Sequence, residues 1–494
     1  MGPLFLVTLS SGGLFILLIP AILINLALEE RDLAIEMGLV GGLGAFVCVM
    51  IIAALLGRIR GVERELNFVS LVLIWVCTPL VAAVCLMVLA GLPPGGAWFE
   101  AVSALTTTGA TVLVRDRFSV GFLFWRSSLE WYGGFLTLIS IIHVLAPAGF
   151  GGLRPSGRRR GTSNHRDGHW GALSAYSSVL WQYGALTVVI ALGLIFFSVH
   201  PGDAMMLAMV SIATGGFLPF QDPLDTHIGS GAMLVLAIGF CFGTLSVFWR
   251  RNILRSPRRL IYGNREATLV LSVIACLTLF YAAAIAESAG SGMRGIAAAL
   301  LEGFFTAASL VSTSGIESRP GVIGLFPPFA VLLVIFIGAS VYSTAGGIKY
   351  YRLASMWTYA RAELNRLIYP SGISQLKFGR RHIDDAEIRA IWAYFVLALL
   401  CVALGTVLIT LSAANFEGGL AMAISLFSGA GPVYDSLRPV GEGVASHAGY
   451  LSGWPAFADL PITAYAPAVV LMTIGRLEVL LVFAVINVSY WLNR

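Results

Sequence analysis

Apolar runs long enough to cross a bilayer recur along the chain, near 4–28, 35–57, 66–91, 118–147, 172–199, 229–248, 267–286, 324–346, 387–412 and 463–491. About 20 apolar residues suffice for a membrane helix, so the pattern predicts ten spans, some over-long or interrupted. Between spans lie apolar segments too short to cross, at about 95–105, 203–213, 296–311 and 417–427, each with an early acidic residue: Glu100, Asp203, Glu302 and Glu417. Each short segment then climbs through small and hydroxylated residues to glycine. The four stretches read Thr106-Thr107-Thr108-Gly109, Ala213-Thr214-Gly215, Ser312-Thr313-Ser314-Gly315 and Gly429-Ala430-Gly431. These glycines lie 106, 100 and 116 residues apart, and Ser103, Ser309 and Ser425 stand six positions before three of them.

The repeat predicts a unit of span, short re-entrant helix, glycine loop and span, used four times. The first two spans, 1–57, remain as an accessory pair; the units then run 58–150, 151–262, 263–360 and 361–494. A half-length helix that ends within the membrane turns its partially negative C-terminal end toward the axis, which favours a cation. Non-helical backbone at that depth needs a watery cavity, and rings of bare backbone are how cation filters are built. A single small-residue motif reads equally well as close helix packing. Four at regular spacing favour the filter.

Composition agrees with a membrane protein. Of 494 residues 57% are hydrophobic and 12% charged, against about a quarter charged in soluble domains; mean hydropathy is +0.85. The first apolar run lacks a basic leading region and a convincing cleavage site, so it is read as a retained helix. All six cysteines fall in apolar runs without CxxC spacing, and the seven histidines form no HExxH-like pair. They read as fillers and isolated residues, and neither an enzymatic metal site nor a cofactor is expected in this chain.

Charge sets the topology. The loops 58–65, 150–171, 249–266 and 349–389, with Arg494, carry 23 of the 31 lysines and arginines. Cationic loops stay cytoplasmic, which places both termini inside and the glycine motifs outside. The net charge of +5 then reads as topology signal and anionic-lipid contact, with no need for nucleic acid.

Several motifs together resemble one family. Thr106–Thr111 (TTTGAT), Glu130–Gly134 (EWYGG, where the family pattern has glutamine first), Thr214–Phe217 (TGGF), Ser343–Arg352 (STAGGIKYYR) and Gly475–Glu478 (GRLE) resemble the TrkH/KtrB class of potassium uptake proteins, within the Trk/Ktr/HKT superfamily. The resemblance implies an all-α polytopic membrane protein with four pseudo-repeats around a central pore, channel-like potassium uptake at a bacterial inner membrane, and no enzymatic activity. It makes Gly109, Gly215, Gly315 and Gly431 filter glycines, with Thr107, Thr108, Thr214, Ser314 and Ala430 beside them and potassium at the backbone carbonyls of Thr108, Thr214, Ser314 and Ala430. Gly338–Gly347 (GASVYSTAGG) becomes an intramembrane gating loop including Gly338, Ser343, Thr344, Gly346 and Gly347, with Lys349, Arg476 and Glu478 associated.

Alternatives stay open at these residues. Arg476, inside an apolar run where a charge costs about 2.5–3.5 kcal/mol, reads also as half of a buried ion pair with Glu130 or Glu478. Lys349 reads also as a snorkelling helix-end lysine. Glu317 would concentrate cations if it is exposed at the outer mouth, and the fourth loop, SGAGPVY, departs most from the family pattern. The resemblance further implies a homodimer and a separate cytoplasmic nucleotide-binding regulatory subunit of the TrkA type, because the chain itself has no GxGxxG after a strand and no GxxxxGK[ST]; the 349–389 loop is a docking candidate. Rival functions are a proton- or sodium-coupled symporter of the same family, an inverted-repeat solute transporter, and an intramembrane protease using Ser340 and His143.

Overall fold

A computed structural model of the chain describes residues 2–56, 64–114, 117–145, 168–246, 265–289, 293–369, 376–378, 381–438, 454–477 and 479. Glu478, Arg494 and most of the arginine-rich stretches 150–171 and 249–266 lie outside these residues, as does the side chain of His143. The architecture is all-α. The one β-element among the described residues is the two-residue hairpin Lys377–Phe378 with Arg381–His382.

Among the described residues, six helices are long and apolar enough to cross a membrane: Gly2–Ala27, Arg31–Leu56, Phe68–Leu89, Ser177–Phe196, Arg265–Glu287 and Asp385–Ser412. The other predicted spans differ for local reasons. The run 118–147 becomes a helix over Val120–Ile139 that carries Arg126 and Glu130, followed by a π-helical stretch over Ser140–Leu145. The run 324–346 is helical only over Pro328–Ile337, because the chain turns at Gly338 with φ of 73°. Helices cover Ser230–Thr244 and Ile462–Leu477 in the remaining two.

The short segments are helices over Pro94–Leu105, Pro201–Ala213, Met293–Val311 and Phe416–Ser428. Two start on Pro at the first helical position, where the missing N–H costs nothing, and Asn415 caps the fourth through Gly418 N–H at 2.7 Å. Their environment inverts that of the long helices. Residues 99–105 and 206–213 are continuously buried, whereas Leu39, Leu43, Phe46, Val189 and Leu192 on the long helices stay more than half exposed. An apolar exterior around a polar-speckled interior is what a lipid solvent selects, since lipid gives no reason to hide leucine.

The N-terminal helices lie against the first unit, with Leu14, Leu18 and Met37 sharing a core with Leu105, Phe122 and Trp125. Phe305, Ala308 and Ile316 of the third unit join the core of the second. A third core joins Phe99 and Val102 of the first short helix to the third and fourth units. The C-terminal halves of all four short helices are therefore buried among their neighbours, and their C-terminal ends meet.

Candidate functional site

Each short helix ends in the same way. The residue after its last turn adopts a left-handed conformation: Thr107 (φ 53°), Thr214 (55°), Thr313 (63°) and Gly429 (70°). The following N–H reaches back five residues, from Thr108 to Ser103, Gly215 to Val210, Ser314 to Ser309 and Ala430 to Ser425, at 2.8–3.1 Å. This is a Schellman-type cap, and it fixes the register between the loops. Threonine is β-branched and rarely left-handed; such a residue costs on the order of 1–3 kcal/mol and clusters at functional sites.

The register corrects one expectation. Gly215 occupies the place of Thr108, and Gly216 that of Gly109, Gly315 and Gly431. Thr214 correspondingly matches Thr107, so the carbonyls in equivalent positions are those of Thr108, Gly215, Ser314 and Ala430. The fourth loop, the most divergent in sequence, keeps the cap and then enters a helix over Gly431–Leu437.

The loops converge in a ring. A Cβ at Gly109 would lie 2.6 Å from Gly216 N, one at Gly315 would lie 2.6 Å from Val433 Cγ2, and one at Gly431 would lie 2.5 Å from Ala110 N. The Ser314 hydroxyl donates to the Gly215 carbonyl, and Gly431 N–H donates to Thr108 O at 2.7 Å. Contacts thus run from loop one to two, two to three, three to four and four to one.

Beneath the ring lies the broken span. Ile348 N–H returns to Phe336 O and Lys349 N–H to Ile337 O, at 2.9 and 2.8 Å, closing the excursion at its base. The Thr344 hydroxyl sits 3.0 Å from Ile212 O and 3.2 Å from Gly243 O. Gly346 N–H donates to Thr313 Oγ1 at 2.9 Å, and a Cβ on Gly346 would collide with the Ser428 carbonyl. The segment 338–349 therefore meets the ends of the second, third and fourth short helices. Arg476 supplies the first: its Nε donates to Thr106 O and its Nη1 to Thr344 O. Both acceptors are carbonyl oxygens rather than the carboxylate of an ion pair, and charge-assisted bonds to the orphan carbonyls of a helix end are among the strong ones.

The fold has known counterparts. Residues 325–486 match the TrkH family model, described as a cation transport protein. The chain is 25% identical to the Trk system potassium uptake protein TrkH of Halomonas elongata, over 96% of this chain and 95% of that one. It is 27% identical to TrkH of Escherichia coli K12, over 80% of this chain and 79% of the relative. The crystal structure of the potassium transporter TrkH from Vibrio parahaemolyticus superposes with a TM-score of 0.81 at 19% identity, covering 98% of each chain. The chain is thus similar to TrkH proteins over most of its length.

The relatives are named as potassium uptake proteins, and Ser340, the nucleophile a protease reading would need, is otherwise engaged, its hydroxyl donating to Thr244 O at 2.9 Å. Lys349 does not snorkel: it is 6% exposed, left-handed at φ 85°, and its Nζ donates to Ala345 O. Glu317 is half-buried rather than open at a mouth. Its carboxylate accepts from Ile323 N–H at 2.8 Å and Gly321 N–H at 3.3 Å, and burial pushes it above the usual carboxylate range.

The helix Val120–Ile139 carries Arg126, a residue the sequence motifs do not single out. Arg126 is buried; its Nε donates to Glu100 Oε1 at 2.7 Å, and its guanidinium lies 3.3 Å from the ring centre of Phe217. Glu100 in turn accepts from Val112 N–H at 2.9 Å, clamping the chain as it leaves the first loop. One turn beyond Arg126, Glu130 accepts from Gly216 and Phe217 N–H at 3.1 and 3.3 Å. Gly133 and Gly134 let this helix approach the ends of two short helices, since a Cβ would collide with Leu105 O at one and lie 3.2 Å from Ala213 Cα at the other. An arginine inside an apolar run was the signal for Arg126.

Proposed function

We propose that this chain carries potassium passively into the cell through the point where the four loops meet. The observation that carries the reading is that four helix ends, capped by the same bonds and spaced along the chain, converge on one ring. Each helix contributes about half a negative elementary charge at its C-terminus, so the ring is a cation site by its backbone alone. The carbonyls of Thr108, Gly215, Ser314 and Ala430 then stand in for part of the hydration shell. The relatives named as potassium uptake proteins support potassium as the ion.

The segment 338–349 is the gate in this reading, and Arg476 its lock. A unit charge about 4 Å from a passing cation opposes it by about 4 kcal/mol even at an effective dielectric of about 20. The bonds of Arg476 to Thr106 and Thr344 hold that charge beneath the ring while tying the gate to the first short helix. The proposal extends to four units in one bacterial inner-membrane protein, cytoplasmic termini, a dimer of two such chains and regulation by a separate nucleotide-binding subunit.

Rubidium uptake by purified protein in liposomes, under an imposed voltage and with sodium as competitor, tests the reading. Uptake is expected to follow voltage without a proton gradient, and Arg476→Ala is expected to raise it about tenfold, equivalent to about 1.4 kcal/mol of barrier. Uptake that demands a proton gradient at favourable voltage would sink the passive mechanism.

A further inference from the structure

The four loops are not held alike. In the first and third, a serine on the short helix fastens the outgoing chain: Ser103 Oγ donates to Ala110 O at 2.6 Å, and Ser309 Oγ to Ile316 O at 2.8 Å. The glycines of these two loops, Gly109 and Gly315, share a positive φ of 73° and 70°. In the fourth loop the matching hydroxyl, Ser425 Oγ, makes no such bond among the described residues, and the chain is held instead by Gly431 N–H on Thr108 O and by the helix that follows. The second loop has no hydroxyl at the matching position. Val210 stands where Ser103 and Ser309 stand, and the residue it would have fastened is Phe217.

Glu130 fills that place from another helix. Its carboxylate is fully buried and takes the N–H groups of Gly216 and Phe217, one on each oxygen. It also lies against the loop itself, since a Cβ on Gly215 would be 2.5 Å from the carboxyl carbon and 2.8 Å from Oε1. The charged groups around it are Arg126 on its own helix, Glu100 on the first short helix and Arg476 on the last helix. Arg126 is already engaged by Glu100 at 2.7 Å, so the hydrogen bonds to the loop are the contacts Glu130 makes directly. Buried donors left without an acceptor carry their full desolvation cost, so removing the carboxylate releases the loop rather than merely loosening it.

We infer that Glu130 is the positioning residue for the second quarter of the ring, replacing the serine staple and setting the place of the Gly215 carbonyl. The inference rests on the reading of the ring as a potassium filter. It assigns to one side chain outside the loops a share of ion affinity and discrimination, and it makes the ring alternate in construction, with the two stapled quarters opposite each other and the two held by other means between them.

The test is rubidium uptake against rubidium concentration, with and without sodium, for Glu130→Ala, Glu130→Gln, and Glu130→Ala combined with Val210→Ser. Glu130→Ala is expected to raise the half-saturating rubidium concentration about tenfold and to lose discrimination against sodium, with a smaller change in maximal rate. Glu130→Gln, which keeps the shape and one acceptor, falls between. Adding Val210→Ser restores the hydroxyl staple and recovers discrimination, a result that a general loss of stability cannot give. Unchanged half-saturation and sodium competition in the folded Gln variant overturns the inference, and so does a double variant no better than Glu130→Ala. If wild-type protein takes up no rubidium, the filter reading itself has failed, which is a separate outcome.

Discussion

A side chain at Gly109 would collide with the Cα of Gly216, and one at Gly216 with the ring of Pro432. Backbone meets backbone here because no Cβ intervenes, and a filter made of carbonyls requires that closeness. Gly109→Ser and Gly216→Ser are therefore both expected to reduce the preference for rubidium over sodium about tenfold, equivalent to about 1.4 kcal/mol. Competition uptake checks this; equal discrimination in wild type and both variants would remove these glycines from the filter. Gly215→Ser acts by another route, since its Cβ would meet the Glu130 carboxylate first. The sequence marks the loops by their glycines, but two adjacent glycines in the second loop leave the register ambiguous by one. Only the left-handed threonines resolve it. Nothing in local preference announces Thr107, Thr214 or Thr313 as left-handed, because that conformation is imposed by the cap and by surrounding structure and not by the residue.

At the scale of elements, the decisive piece is the span that fails to continue. Its glycine, serine and threonine content betrays the break directly, and the helix does stop at Ile337 and resume at Tyr350. What the content does not betray is where the segment docks. Thr344 reaches Ile212 and Gly243, which precede it by 132 and 101 residues, and contacts of that separation leave no trace in local pattern. Thr344→Val keeps the side-chain shape and deletes the hydroxyl that bridges the two carbonyls. A hydrogen bond of this kind contributes about 0.5–1.5 kcal/mol, so the docked state loses between about twofold and tenfold in population. If the docked segment is the closed gate, rubidium uptake rises by that factor while the thermal midpoint barely moves. A fall in uptake at unchanged stability would mean that docking holds the path open.

Across the whole molecule, two groups of polar contacts buried in the apolar mass serve different ends. One group surrounds the ring: Glu100 with Arg126, Glu130 with the second loop, Arg476 with Thr106 and Thr344. The other fastens the N-terminal helices to the first unit. Tyr132 OH donates to Ser10 O at 2.9 Å, and the fully buried Asn25 accepts from Gly121 N–H at 3.2 Å while its amide faces Met37 Sδ. Gly121 lies in the first turn of its helix, where N–H groups lack an intrahelical partner, so Asn25 satisfies a donor that neither water nor helix reaches. Hydropathy located these two helices, and subtraction of four units left them over as an accessory pair; their means of attachment was not legible, because an asparagine in an apolar run names no partner. Asn25→Ala strands the Gly121 donor at a cost of about 1–3 kcal/mol. The thermal midpoint of the purified protein should fall by about 1 °C for each kcal/mol lost. Ion discrimination should stay at the wild-type value, since none of the Asn25 contacts touches the four loops. Measured together in one preparation, the two readouts separate attachment from permeation: a variant that keeps its midpoint but admits sodium would show that the N-terminal helices help to shape the ring.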